Sequence, residues 1–124
     1  MTITFKSSYG QKEEKQEIEF TSKLTKSVDN GMNVLEFIEP SNNIQNRIEY
    51  NDSKVTIYAG PTTIDLEINK KIKNNFVTEH GTIIIISLLQ ELIIENEDVK
   101  LKYILTDEKD NLINNFEINL IVSN

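Results

Sequence analysis

The stretch "GTIIIISLLQELIIEN", residues 81–96, is the longest apolar run of an otherwise acidic chain, and it decides the fold class. A run of this kind suits a membrane-spanning helix, a buried helix, or a strand that is covered on both faces. A membrane helix needs about 20 apolar residues, whereas this run is shorter and contains Gln90 and Glu91. We therefore expect a buried helix or a strand of a folded domain.

The choice between helix and strand depends on local residue preferences. Residues 87–90, SLLQ, resemble a helix capping box, which favours a helix. Ile83–Ile86 oppose it, because four consecutive β-branched residues lose side-chain freedom in a helix. We therefore predict a strand over residues 82–94, bulged or bent near Ser87, and keep a short helix over residues 87–94 as the alternative.

Alternation of apolar and polar residues dominates the rest of the chain. The clearest case is "IDLEINKKIKNNF", residues 64–76, where the apolar residues share one parity and most charged residues take the other. Successive side chains of a strand point to opposite faces, so this pattern indicates strands with one buried face. Turn residues such as Asp29-Asn30-Gly31 separate the runs at intervals of about 8–12 residues, as in sandwiches and barrels.

These patterns predict an all-β fold: a single antiparallel meander β-barrel of the calycin or lipocalin type, with about eight to ten strands. No linker, repeat or change of composition divides the chain. Its 124 residues suit one domain, which we place over residues 1–124.

Composition and charge exclude several classes of function. A formal net charge of −7 repels phosphate backbones and anionic lipids, so we expect neither a nucleic-acid partner nor membrane association. The chain has no Cys, which excludes disulfides and thiolate metal sites. Residues 1–15 lack the basic and apolar regions of a signal peptide. We therefore expect a cytoplasmic protein.

The turn "FVTEHG", residues 76–81, leads into the long apolar run. It resembles the aromatic-x-Thr-Pro-aromatic-Gly turn of the YwiB-like family, bacterial proteins classed as a domain of unknown function. The resemblance implies a calycin-like meander barrel and attaches no activity to it. Glu79 and His80 stand where the family has Pro and an aromatic residue, which implies a looser turn. Three further segments resemble the family: QEIEF (16–20), NRIEYNDSKVTIYAG (46–60) and VKLKYIL (99–105).

Residues that could carry chemistry are few. Zinc needs several His or Cys ligands, and His80 is the only histidine. The acidic turn at residues 107–111 lacks the length and the Gly of a calcium-binding EF-hand loop. His80 and Thr78 lie in one turn, but nothing nearby marks an oxyanion hole or orients the imidazole. We expect no metal, no cofactor and no enzymatic activity, and a solvated Arg47, the only arginine.

Four aromatic residues carry the functional prediction, because each takes the inward parity of its strand: Tyr9, Tyr50, Phe76 and Tyr103. In a small barrel they would line a cavity in which the tyrosine hydroxyls supply polar groups. We therefore predict a non-enzymatic binding barrel for a small apolar or amphipathic molecule. The alternative is that these side chains fill the interior. The protein is then an interaction or structural module without a ligand.

The apolar run also predicts an association surface, because both of its parities are apolar. One row holds Ile83, Ile85 and Leu89, and the other holds Ile84, Ile86 and Leu88. An antiparallel strand normally has one dry face, so one row lies outside unless something covers it. Monomers seldom leave that much contiguous apolar surface open. We predict a homodimer with Ile83, Ile85 and Leu89 as its interface, and the alternative is a cover formed by the same chain.

Overall fold

The computed structural model describes residues 1–10 and 14–124, and every regular element in them is a β-strand. The all-β prediction is confirmed, and the alternative of a helix over residues 87–94 is wrong. The described residues form eleven strands: β1 (Thr2–Tyr9), β2 (Gln16–Lys23), β3 (Thr25–Asp29), β4 (Met32–Glu39), β5 (Ile44–Tyr50), β6 (Lys54–Ala59), β7 (Thr62–Glu67), β8 (Lys71–Thr78), β9 (Gly81–Glu95), β10 (Asp98–Thr106) and β11 (Leu112–Ser123).

The strands form two antiparallel sheets. Sheet A has the order β2-β1-β11-β10-β9-β8, and sheet B has the order β3-β4-β5-β6-β7. Neighbouring strands follow one another in the sequence, apart from β1 and β11, which pair in sheet A. Short hairpins suffice for such an order. Asn30 and Gly31, with φ of 51° and 77°, form the predicted tight turn between β3 and β4.

Two interruptions separate the sheets. At Leu24 the chain leaves β2 of sheet A and enters β3 of sheet B, which divides an alternating run that begins at Ile18. The second interruption spans residues 68–70, between β7 and β8, where Ile68 makes an isolated bridge to Leu89. In the described residues no regular ladder crosses either interruption. The strands therefore form two sheets, and closure into one barrel stays a prediction.

Buried polar side chains join the sheets at the second interruption. Asn74 Oδ1 accepts the Asp65 N–H at 2.9 Å, and Ser87 Oγ donates to the Asp65 carbonyl at 2.6 Å. Asn74 Nδ2 also donates to Ser87 Oγ at 3.0 Å. Asn74 and Ser87 thus act as substitutes for backbone at the free edge of β7. A buried edge needs such partners, since unpaired peptide groups away from water are costly.

The space between the sheets is filled with side chains. Phe5 and Phe20 of sheet A stack at 5.0 Å and both contact Phe37 of sheet B at about 6 Å, next to the first interruption. Side chains of the two sheets therefore meet in one core. The buried apolar residues are Ile3, Leu24, Leu35, Phe37, Ile48, Tyr50, Val55, Ile57, Ile64, Leu66, Leu89, Val99, Leu101, Tyr103, Leu105, Ile118 and Leu120.

Strand β9 is the long strand predicted over residues 82–94, and it carries a bulge. Leu89 pairs with Tyr103 and Glu91 pairs with Lys102, so Gln90 is the extra residue. The sequence placed this irregularity near Ser87. An extra residue reverses the parity of the side chains that follow it. Before Gln90 the odd-numbered residues such as Leu89 face the core, and after it the even-numbered residues such as Leu92 do so.

Candidate interaction surface

Two of the predicted cavity residues belong to an aromatic stack. Tyr103 packs on Phe116 with ring centroids 4.8 Å apart, and Phe116 packs on Tyr9 at 5.7 Å. The Tyr9 hydroxyl donates to Gln16 Oε1 at 3.0 Å. The sheet thus brings Tyr9 and Tyr103 together through a third ring, that of Phe116, and the three rings pack on one another.

Tyr50 and Phe76 lie elsewhere. Tyr50 belongs to sheet B and Tyr103 to sheet A, and they are only 2% and 4% exposed. Burial raises the pKa of both tyrosines above the ordinary value. Phe76 is half-buried against the core at the far edge of sheet A. The four predicted aromatics therefore do not converge on a common site.

The main concave features of the described surface are open grooves. Their volumes run from about 250 to about 420 Å³, and none of them is lined by more than one of the four predicted aromatics. The largest lies over the first interruption and is lined by Ser22, Phe37, Ile38 and other residues. Small-molecule sites usually enclose most of their ligand, and these grooves are too open for that.

The predicted interface row points into the molecule. Leu89 is 0% exposed and Ile85 packs against the core, while Ile83 is 50% exposed. The exposure of the row thus increases from Leu89 to Ile83, toward the hairpin between β8 and β9. Parity alone could not assign the inward row, since both rows are equally apolar. The row that faces outward is the other one.

The outward row of β9, which we call the outer row, consists of Ile84, Ile86 and Leu88. All three are half-buried. Leu88 pairs with Ile104 of β10, and directly paired residues point to the same face, so Ile104 widens the apolar strip. Val77 on β8 extends it toward the hairpin tip and is 85% exposed. The structure thus leaves a contiguous apolar strip on the outside of sheet A.

Charged residues of opposite sign flank the outer row. Lys71 and Lys73 of β8 pair with Leu88 and Ile86, so both lysines stand on the same outer face. Lys71 Nζ lies 2.9 Å from Asp110, and Lys73 Nζ lies 3.9 Å from Glu108. Both acids belong to residues 107–111, the connection between β10 and β11, which we call the acidic loop.

The ion pairs of the acidic loop pass over β9. Strand β9 lies between β8, which carries the lysines, and β10, which leads into the loop. Two strand spacings, about 10 Å, separate β8 from β10, so the contacts must cross the outer face of β9. The loop thereby shields part of the outer row. Because all four charged side chains are more than half exposed, water and salt weaken these contacts.

Sheet B has a corresponding feature on its own outer face. Arg47 of β5 lies 2.7 Å from Glu49, 3.1 Å from Asp29 on β3 and 3.4 Å from Glu36 on β4. The guanidinium therefore spans β4, where Val34 is fully buried beneath it. The hydrogen bond to Glu49 raises the pKa of Arg47. The guanidinium is thus paired with one carboxylate of its own strand and two of neighbouring strands, and the expectation of a merely solvated arginine does not hold.

The turn that contains His80 is closed by hydrogen bonds of the Thr78 side chain. Thr78 Oγ1 donates to the Gly81 carbonyl at 2.8 Å and accepts the His80 N–H at 3.2 Å, so this hydroxyl closes the hairpin between β8 and β9.

In residues 1–10 and 14–124, no three His, Cys, Asp or Glu side chains are grouped as metal ligands would be. The same residues contain no helix of the length and apolarity needed to cross a membrane.

Comparisons with known proteins identify the fold and a relative. No family model matches the chain. An uncharacterised protein of Mycoplasmopsis pulmonis (strain UAB CTIP) is 31% identical over 122 residues, which is 97% of each chain. The crystal structure of the ywiB protein from Bacillus subtilis is similar with a TM-score of 0.73 and 13% sequence identity, and the match covers 99% of this chain and 91% of that chain. The chain therefore has a YwiB-like fold and belongs to the family of the uncharacterised Mycoplasmopsis pulmonis protein.

Proposed function

We propose that the protein is a non-enzymatic interaction module that associates with a second copy of itself through the outer row. One observation carries this proposal: buried side chains of both sheets pack in one core, while the outer face of β9 carries a half-buried apolar strip. Sequence patterns favoured a binding barrel for a small apolar molecule. The filled interior favours the alternative, an interaction module without a ligand.

The expected dimer is weak. A stable interface buries about 800 Å² on each partner, and an apolar strip of four or five side chains supplies only part of that area. The polar flanks must supply the remainder, and exposed charges add little free energy. We therefore expect a dissociation constant in the micromolar range, with exchange between monomer and dimer.

Sedimentation velocity tests the proposal. Wild-type protein at tens of micromolar should sediment with a mean mass that approaches twice the chain mass of 14.3 kDa. Ile86→Lys places a charge in the centre of the outer row and should return the protein to monomer. Val28→Lys is the matched control, because Val28 is 71% exposed and lies on sheet B, away from the outer row.

Two results would contradict the proposal. A wild-type monomer at tens of micromolar, unchanged by Ile86→Lys, would mean that the outer row does not mediate self-association. A small molecule retained at one per chain in native mass spectrometry of protein from its own host would restore the binding barrel. Retention of a second copy in the same spectra would support the module.

Three further assignments belong to the proposal. The turn at residues 76–81 and the fold likeness support membership of the YwiB-like family. The strand order, sequential around both sheets, and the polar link from Asn74 to Asp65 support a calycin-like barrel joined by side chains at one interruption. The lack of Cys supports a cytoplasmic location.

A further inference from the structure

We infer that the two copies exchange the ion pairs of the acidic loop, so that Glu108 and Asp110 of each chain bind Lys73 and Lys71 of the other. This inference rests on the proposed function, because it specifies how two outer rows meet. It specifies how the two copies are oriented, and it assigns a role to four charged residues that take no part in the apolar contact between the outer rows.

The first support is the polarity of charge across the outer row. The β8 side of the row carries Lys71 and Lys73, while the side toward β10 carries Glu108 and Asp110 of the acidic loop. In a chain of net charge −7, two neighbouring lysines opposite two acids form a self-complementary pattern. A second copy of the same face offers each side its opposite charge.

The second support is symmetry. Two identical faces in contact are related by a two-fold axis that lies in the plane of contact, and each residue then meets a partner reciprocally. An axis parallel to β9 places the lysine side of one copy over the acidic side of the other. An axis perpendicular to β9 places lysines over lysines, which is unfavourable for like charges. The charges therefore select the axis parallel to β9.

The third support is the construction of the acidic loop. The Asp107 carboxylate accepts the N–H groups of Lys109 and Asn111 at 2.8 and 2.9 Å and the Asn111 side-chain amide at 3.0 Å. The Asp107 N–H also donates to the Asn111 carbonyl. Together with the Asp110 N–H, which donates to the Asp107 carbonyl at 3.2 Å, these bonds hold the loop in one shape without using the side chains of Glu108 or Asp110. The loop can therefore release its own lysines and present both acids to a partner.

Exchange preserves the number of ion pairs and adds the burial of two outer rows. The monomer loses Lys71–Asp110 and Lys73–Glu108 within the chain, and the dimer regains the same pairs between chains. Because charge contacts nearly cancel, the dissociation constant should change less than about threefold between 0.05 and 0.5 M salt. A dimer held by additional ion pairs would weaken more steeply.

Complementation between charge-reversed variants tests the exchange directly. Lys71→Glu with Lys73→Glu leaves both sides of the row acidic, and Glu108→Lys with Asp110→Lys leaves both sides basic. Each double variant carries its repulsive contacts within the monomer and again between two identical copies, so its self-association should gain no ion pair. An equimolar mixture should form the heterodimer at least about tenfold more tightly than either variant forms its homodimer, because only the heterodimer pairs opposite charges. A tag on one variant distinguishes heterodimer from homodimers in native mass spectrometry.

Two controls separate this inference from the proposed function. The quadruple reversal, which carries all four substitutions in one chain, should dimerise like the wild type. If the wild type dimerises and Ile86→Lys abolishes the dimer, the module stands. If the two double variants then fail to associate with each other more tightly than with themselves, the exchange is wrong. Preferential heterodimer formation supports it.

Discussion

The two faces of β9 carry similar aliphatic residues but have different surroundings. On the inner face Leu89 is fully buried, and Ser87 bonds across to sheet B. On the outer face Leu88 and Ile86 remain half-buried beneath an acidic loop. Hydrophobicity alone therefore does not assign a role to a residue in this strand. The difference lies in what stands opposite: a complete second sheet on one side and a short charged loop on the other.

This comparison predicts that substitutions on the two faces of β9 have different effects. Substitutions on the inner face should lower the free energy of unfolding, whereas those on the outer face should change association more than stability. Neighbouring residues of the same type make the comparison sharp, because Leu88 and Leu89 differ only in the face they occupy.

The largest effect should come from Leu89→Ala. Leu89 is 0% exposed and lies in the centre of the core. Removing a buried leucine side chain leaves a cavity and costs about 3 kcal/mol, within the usual span of about 2–5. Urea denaturation followed by circular dichroism measures it. Ile83→Ala on the same face is the control and should cost less than about 1 kcal/mol, since Ile83 is 50% exposed. Equal losses of unfolding free energy in the two variants would contradict the difference in burial between Leu89 and Ile83.

A smaller loss should follow from Ser87→Ala. The Ser87 hydroxyl donates to the Asp65 carbonyl and accepts a hydrogen bond from Asn74. Its removal leaves buried polar groups without a partner, which costs about 1–3 kcal/mol. Denaturation of this variant beside Ser27→Ala, at an exposed serine of sheet B, isolates the effect. An unchanged midpoint for Ser87→Ala would mean that the polar link does not hold the sheets together.

Part of this link was visible in the sequence. Asn74 falls on the inward parity between Ile72 and Phe76, and Ser87 interrupts the apolar run. A polar residue on a dry face needs a polar partner, so two such residues in adjacent strands are a signal for a buried hydrogen bond. Asp65 was not predictable, because its contribution is backbone and depends on how sheet B approaches sheet A.

Other features were predictable to different degrees. Alternation and turn residues were sufficient for the all-β fold and the Asn30-Gly31 turn, and the four β-branched residues Ile83–Ile86 were sufficient for the strand over residues 82–94. The inward face of β9 was not, because both parities are apolar and the bulge at Gln90 exchanges them. The carboxylates around Arg47 depend on the register of three strands, which the sequence pattern alone leaves open.

The pH dependence of stability should show the burial of Tyr103, which pairs with Leu89 on the inner face. Burial raises the pKa of Tyr103 in the folded state, so its contribution is complete below the unfolded pKa of about 10. Above that pH the unfolded chain loses the proton first, and stability falls by about 1.4 kcal/mol per pH unit for one group. Denaturation between pH 9 and 11 should give a shallower slope for Tyr103→Phe than for the wild type.

Tyr58→Phe, at an exposed tyrosine of β6, is the control for this slope. Lysines also titrate in this range, so the informative quantity is the difference between each variant and the wild type. Identical slopes for Tyr103→Phe and the wild type would mean that the Tyr103 hydroxyl reaches water, as it would in an open binding cavity.

The smallest effect on stability should come from Leu88→Ala, one residue before Leu89. Leu88 is half-buried on the outer face, so its truncation in the monomer should cost less than about 1 kcal/mol. The same change removes one large side chain from the outer row and should weaken the proposed dimer about three- to tenfold. Denaturation at about 1 µM, where the dimer dissociates, separates the two quantities, and sedimentation at higher concentration gives the second. A loss of stability as large as that of Leu89→Ala, with unchanged sedimentation, would mean that the acidic loop covers the outer row as completely as sheet B covers the inner face.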